Sequence, residues 1–166
     1  MTRADEDDVD RLIAAWRRER PDMDVAPMQV LSRVTRLALH LDRARKQAFA
    51  DHDLESSEFD VLSALRRSGK PYQLSPGQLV QETLVTSGTM TNRVDRLVRK
   101  GLVERLPDPA DRRGVQVRLT SAGSVAVDGA IDALLGHEHD LLAGLSTDEA
   151  TALAAALRTL SRPFDR

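Results

Sequence analysis

The feature that most constrains the fold is an abrupt change of hydrophobic period near Gly101. A helix is predicted from Thr86 or Ser87 onward, and Gly101 suits the left-handed backbone that often ends a helix. Beyond it, the β-prone runs 102–106 and 115–119 flank a polar segment rich in proline and charge. The pattern predicts a helix that leads directly into a β-hairpin with a charged tip.

Two helices are predicted in residues 1–53. The first ends before Pro21 and carries an amphipathic stripe of Val9, Leu12, Ile13 and Trp16. The second is long, and its apolar residues step by four and three like those of a coiled coil: Val30, Val34, Leu37, Leu41, Ala44 and Ala48. This region is therefore expected to supply an accessory helix and a dimerisation helix.

Residues 54–119 are predicted to form a winged helix-turn-helix region. A helix opens near Ser57, with Asp60 as the capping-box partner three residues on. A short helix begins where Ser75 precedes Pro76, which is a good N-cap followed by proline at the first helical position. The helix and hairpin described above complete the region.

Residues 120–166 are predicted to form C-terminal dimerisation helices. A long helix begins after the cap at Thr120 or Ser121, and a final helix begins at the capping box of Ser146 and Glu149. The final helix is expected to bury Leu153, Leu157 and Leu160. The fold class is therefore mainly α, an α+β winged helix with a helical dimerisation lobe.

Charge is distributed unevenly along the chain. The formal net charge is -2, yet residues 86–118 hold eight Lys or Arg residues against four acids, whereas residues 120–157 hold no Lys or Arg. Solvated helix faces alone would account for a split of this kind. The cations nevertheless gather on the one helix and hairpin whose pattern suits nucleic acid.

A short helix, a tight turn and a basic second helix fit the major groove of B-DNA, while an Arg-tipped hairpin reaches the adjacent backbone. Hydroxyls suit phosphates, an asparagine amide suits adenine, and guanidinium groups suit guanine, phosphates or a narrow minor groove. The candidate DNA contacts are Ser87, Thr89, Thr91, Asn92, Arg93, Arg96, Arg112 and Arg113. An ordinary surface helix and hairpin is the structural alternative.

Several function classes are not expected. The chain has no Cys, which excludes disulfides, Cys-based zinc sites and sensing by cysteine oxidation. No signal peptide or membrane span is recognisable, so a cytoplasmic protein without membrane contact is expected. There is no glycine-rich phosphate loop or nucleophile elbow, so neither an enzyme nor a cofactor is predicted. No metal site is predicted either, because His137 and His139 point about 200° apart on a helix.

Two stretches, TSGTMTNRVDRLVRKGLVER at 86–105 and DPADRRGVQVRLTSAG at 108–123, resemble the MarR family. The resemblance implies that family's fold and a homodimeric regulator, usually a repressor, that binds a pseudo-palindromic operator in double-stranded DNA. A dimer also suits DNA half-sites about one helical turn, roughly 34 Å, apart.

Within the family the chain resembles the urate-responsive, PecS-like branch, which is marked by an additional N-terminal helix bearing a tryptophan. The resemblance implies a pocket where Trp16 and Arg105 hold a planar anion such as urate, while Asp60 is repelled and moves the recognition helix through Arg93. Each residue also has a simpler interpretation. Trp16 suits a core, Asp60 a helix cap, Arg93 a DNA contact, and Arg105 a partner across the hairpin or a phosphate.

Two other functions fit the same sequence. One is a ligand-blind DNA-binding regulator, which would bind its operator and respond to no metabolite. The other is a helical protein-interaction dimer, built on the heptad-like helix and the acidic C-terminal helices. Salt dependence separates them, because DNA binding weakens steeply as salt rises whereas an apolar interface barely responds.

Overall fold

The computed structural model describes residues 6–109, 111 and 114–164. In chain order the elements are α1 (Asp8–Glu19), α2 (Met28–Ala50), α3 (Ser56–Arg67), β1 (Gln73–Leu74), α4 (Pro76–Thr83), α5 (Ser87–Arg99), β2 (Val103–Pro107), β3 (Val115–Leu119), α6 (Ser121–Leu142), α7 (Thr147–Ser161) and a 3-10 turn (Arg162–Phe164). The predicted fold class, mainly α with a winged helix, is confirmed.

Contacts between Cα atoms divide the chain into two compact units, Met1–Ala44 and Arg45–Arg166, with the boundary inside α2. The sequence analysis instead divides the chain after residues 53 and 119, according to the expected role of each segment in dimerisation or DNA binding. That division stays a prediction. Among the described residues, no helix is long and apolar enough to cross a membrane.

In the N-terminal unit, Val9 and Ile13 of α1 pack with Val25 in a small apolar cluster. Polar contacts reinforce this packing. The Asp7 carboxylate caps α1 by accepting from the backbone N–H of Asp10, and Arg33 of α2 donates to Asp7 and Asp10 at 2.8 Å. The Asp10 N–H and the Arg33 guanidinium lower the pKa of Asp7 to about 2. Capping and docking of α1 therefore share one carboxylate.

Within this unit, the predicted stripe on α1 is only half buried. Val9 and Ile13 are buried, whereas the side chains of Leu12 and Trp16 are about two-fifths exposed. With Ala15 and Glu19 they line a shallow cavity of about 270 Å³. Trp16 therefore offers an accessible indole face in the N-terminal unit.

The core of the C-terminal unit lies among α3, α4, α5, α6 and the sheet. Its most buried large side chains include Leu62, Leu65, Leu79, Met90 and Leu97. Phe49 and Phe59 stack in the same core, with ring centroids 4.0 Å apart. One face of α5 packs on this core, and the other faces of α5 remain accessible.

A three-stranded antiparallel sheet has the strand order β1-β3-β2. The predicted hairpin is present and pairs Val103 with Leu119 and Pro107 with Val115. Strand β1 adds Gln73 opposite Arg118. The sequence analysis missed β1, because two residues are too few to show a strand period.

Most helix ends lie where the sequence places them. Ser75, Thr86, Thr120 and Ser146 are N-caps, and Gly101 has a φ of 71°, which glycine tolerates best.

Helix α3 begins within one residue of the predicted Ser57, but the predicted capping-box partner, Asp60, is wrong. The helix begins at Ser56, and the backbone N–H of Glu55 donates to the carboxylate of Glu58 at 2.9 Å. Glu58 thus occupies the third helical position and takes the capping role assigned to Asp60. Asp60 is free to contact a neighbouring helix.

The expected burial of Leu153, Leu157 and Leu160 is also wrong for the single chain. Their side chains are 39–51% exposed, and no residue of the described helix α7 is buried. The leucines share one face, but nothing in the described chain covers it. An amphipathic helix of this length is marginal in water without a packed face, and the described residues leave this face of α7 largely unburied.

Candidate nucleic-acid interface

Helix α5 is the second helix of the helix-turn-helix, and it presents a buried face and a polar face. Met90, Val94 and Leu97 recur at steps of four and three and are buried in the core. The Thr86 hydroxyl caps the helix by accepting from the backbone N–H of Thr89. Burial of the apolar stripe fixes which side chains of α5 face outward.

The N-terminal half of α5 exposes four of the predicted DNA contacts: Ser87, Thr89, Thr91 and Asn92. The Thr89 hydroxyl lies 3.0 Å from that of Thr86, and the Thr91 hydroxyl donates to the carbonyl of Ser87. In the described ranges the Asn92 amide makes no hydrogen bond within the chain. Recognition helices contact base edges mainly through their N-terminal residues, so this is the half expected to enter a groove.

Arg93 faces α3 more than it faces solvent. Its side chain is 16% exposed, and its Nη1 lies 3.7 Å from Asp60 Oδ2. That nitrogen is buried and finds no hydrogen-bond acceptor among the described residues. The structure thus brings together Asp60 and Arg93, the pair that the family resemblance links, and leaves Arg93 the least accessible of the described candidates.

Arg96 is accessible but already paired. Its guanidinium donates to Glu55 at 2.9 Å and to the Ser57 hydroxyl at 3.3 Å. The Arg96 and Glu55 side chains are both well exposed, so water screens this pair. A phosphate or a base edge can therefore replace Glu55 at little cost.

The end of α5 is anchored on a buried carboxylate. Glu58 is 1% exposed, and Lys100 Nζ donates to it at 2.9 Å and to the Asp53 carbonyl at 2.7 Å. Burial lowers the pKa of Lys100, but the Glu58 hydrogen bond and the charges of Glu58, Asp53 and Glu55 together outweigh it and raise that pKa. The pair ties the C-terminus of α5 to the first turn of α3.

The hairpin contacts α5 through Arg105 of β2, whose Nη2 lies 2.6 Å from Asp95 Oδ1. Arg118 of β3 instead pairs with Glu104 across the hairpin. The simpler interpretation of Arg105, a partner across the hairpin, therefore fits Arg118 better. Arg112 and Arg113, the predicted tip contacts, lie outside the described residues.

Sequence reasoning missed Glu55, Glu58, Asp95 and Lys100 as residues that position α5. One signal for Glu58 was available: it lies at i, i+4 and i+7 with Leu62 and Leu65, on the face that the core covers. A carboxylate on such a face needs a cation, although its identity is not encoded locally. Trp16 belongs to the N-terminal unit.

Comparison with known proteins gives a consistent result. A MarR family model matches residues 52–114. The HTH-type transcriptional regulator PecS of Dickeya dadantii (strain 3937) is 39% identical over 90% of each chain. Among solved structures, a mutant MarR from E. coli complexed with operator DNA is 30% identical, with a TM-score of 0.64 over 83% of this chain and 99% of that one.

A further similar structure is BpsR of Bordetella bronchiseptica, described for regulation of its DNA binding by 6-hydroxynicotinic acid. It is 28% identical, with a TM-score of 0.66 over 84% of this chain and 97% of that one. The similarity to these structures extends well beyond the helix-turn-helix.

Replacing Lys100 with methionine is expected to lower the free energy of unfolding by about 2 kcal/mol, because Glu58 would remain buried without its cation. Urea denaturation followed by circular dichroism measures the change. Arg99→Met, at the exposed neighbouring position, is the control and is expected to change stability by less than about 0.5 kcal/mol. Equal stability of the two variants would show that the Glu58 contact does not anchor α5.

Proposed function

The chain belongs to the MarR family of DNA-binding transcriptional regulators, and from this premise we propose that it is a homodimeric repressor released from its operator by a planar anion. Its relatives are regulators and not enzymes. The observation that carries the proposal is the orientation of α5, whose apolar stripe is buried while Ser87, Thr91 and Asn92 face outward.

Sequence reading by α5 is proposed to rest on Asn92 and Arg96, with Ser87, Thr89 and Thr91 on the phosphates. The polar half of α5 has the length and side-chain chemistry for one major groove. Arg93 is proposed to contribute by orienting α5 through Asp60, since its side chain is mostly buried. The tip residues Arg112 and Arg113 stay predicted backbone or minor-groove contacts.

Arg96→Ala is expected to weaken operator binding about tenfold or more and to leave the fold intact, because a guanidinium contact to a base is worth roughly 1–3 kcal/mol. Fluorescence anisotropy with a duplex from upstream of the protein's own gene measures the affinity. Arg67→Ala, which removes an exposed guanidinium from α3, is the control and is expected to bind as wild type. Wild-type affinity of a folded Arg96→Ala protein would refute this placement of the recognition residues.

Dimerisation is proposed to use the exposed apolar faces of the helices outside the winged helix. On α7 the face consists of Leu153, Leu157 and Leu160, and on α6 the adjoining stretch exposes Leu135, Leu141 and Leu142. In the N-terminal unit, α2 exposes Val30, Val34 and Leu37. A second copy of the chain is the occupant that also satisfies a two-fold operator, since each protomer reads one half-site.

Leu157→Asp is expected to raise the dimer dissociation constant at least about 100-fold, because a carboxylate would be buried in an apolar interface. Light scattering coupled to size-exclusion chromatography measures the mass as the protein is diluted. The matched control is Thr159→Asp, which adds the same charge about 200° around α7. A dimer that survives Leu157→Asp would place the interface elsewhere.

Release by a planar anion, urate or a related purine, is proposed from two observations. The similar protein BpsR is regulated by 6-hydroxynicotinic acid, which is a flat aromatic acid. In this chain, Arg105 offers a planar fork of donors that is well exposed, and Trp16 offers an accessible indole. The roles of Trp16, Asp60, Arg93 and Arg105 in holding such a ligand stay predictions from the PecS-like resemblance.

Trp16→Phe is expected to weaken urate binding about threefold or more while operator affinity stays within twofold of wild type, because phenylalanine stacks over a smaller area. Isothermal titration calorimetry measures the first quantity and anisotropy the second. Loss of DNA binding, with urate binding retained, would show that Trp16 is structural.

A further inference from the structure

The ion pair between Arg105 of β2 and Asp95 of α5 links the hairpin to the recognition helix. Its N–O distance is 2.6 Å, and the two side chains are 42% and 38% exposed. Asp95 is the sole acidic residue in the sequence of α5, against Arg93, Arg96 and Arg99. The pair therefore neutralises the one negative charge on a helix that otherwise carries cations.

Asp95 and Arg93 lie two residues apart, so they project about 200° apart around α5. Arg93 contacts Asp60 of α3 on one flank, and Asp95 contacts Arg105 of β2 on the other. On the first flank α5 supplies the cation of the ion pair, and on the second flank it supplies the anion. The Arg105 guanidinium is already paired with the Asp95 carboxylate, so an anionic ligand that binds Arg105 must compete with Asp95.

We propose that Asp95 competes with the anionic ligand for Arg105 and transmits its binding to DNA. The ligand takes over the Arg105 guanidinium, and the released Asp95 carboxylate leaves an uncompensated negative charge on the helix that faces phosphate. This inference rests on the proposed ligand response and adds a residue that the PecS-like resemblance does not include. Asp95 is a positioning residue, since it acts through Arg105.

Linkage makes the competition reciprocal. Operator DNA favours the paired state, in which Asp95 is neutralised, whereas the ligand favours the unpaired state. Because the pair is partly exposed, breaking it costs little, so a ligand of ordinary affinity can displace Asp95. Removing the carboxylate abolishes both the competition and the negative charge that would repel DNA.

The test compares Asp95→Asn with Glu104→Gln in the full chain. Glu104 neighbours Arg105 in β2 but pairs with Arg118, so the control removes a negative charge, as Asp95→Asn does, without breaking the Arg105–Asp95 pair. Urate and 6-hydroxynicotinate are the probes. Calorimetry gives the affinity of each probe without DNA, and anisotropy gives operator affinity with and without the probe.

Asp95→Asn is expected to bind the probe about two- to fivefold tighter than wild type, yet to lose at least half of the probe-induced decrease in operator affinity. A merely structural role of Asp95 would not tighten probe binding. Glu104→Gln is expected to match wild type in both measurements.

Two results would overturn the role of Asp95 and leave the ligand response standing. In the first, the probe lowers the operator affinity of Asp95→Asn as much as that of wild type. In the second, Glu104→Gln shows the same changes in probe affinity and operator response as Asp95→Asn. If neither probe binds the wild-type protein or alters its operator affinity, the proposed response to these planar anions fails, and the inference falls with it. The outcomes therefore separate a wrong transmitting residue from a wrong ligand class.

Discussion

The position of α5 depends on the burial of its apolar stripe and on an ion pair between its C-terminal end and a buried carboxylate of α3. Burial of Met90, Val94 and Leu97 sets the rotation of the helix. The buried Glu58 carboxylate then requires a cation, and Lys100 supplies it at the helix end. With rotation and one end fixed, the N-terminal half of α5 is left as an exposed polar surface of hydroxyls and an amide.

Two other ion pairs of α5 differ from this anchor because both of their side chains are accessible to water. Arg96 with Glu55 and Arg105 with Asp95 are partly exposed, so each costs little to open. The molecule thus combines one pair that holds α5 in place with pairs that ligands and phosphates can exchange. Such a division suits a regulator, since a small anion has little binding energy with which to move a packed helix.

Much of this architecture is readable from the sequence because its signals are local. Caps at Ser75, Thr86 and Thr120, and glycine at 101, mark ends that the structure reproduces. The capping residues of α3 are misassigned from sequence because Ser57 and Asp60 have the same spacing as Glu55 and Glu58, which form the cap.

The ion pairs could not be predicted in the same way, since partners such as Glu58 and Lys100 lie 42 residues apart. Their pairing depends on how the helices pack. The leucines of α7 are recognisable as an apolar face, but sequence periodicity does not say whether the chain itself or another molecule covers that face. The family resemblance links Asp60 with Arg93, whereas local pattern alone assigns Asp60 to a cap.

Ligand-controlled DNA binding is tested most directly by a gel-shift titration of the wild-type protein on DNA from upstream of its own gene. It is run at two salt concentrations, with and without urate. We expect binding that weakens steeply with salt, because phosphate contacts supply affinity, and that urate reverses, because an anion at Arg105 changes the charge on α5. Absence of binding even at low salt would contradict DNA recognition by α5, and salt-sensitive binding that does not respond to urate would contradict the choice of ligand.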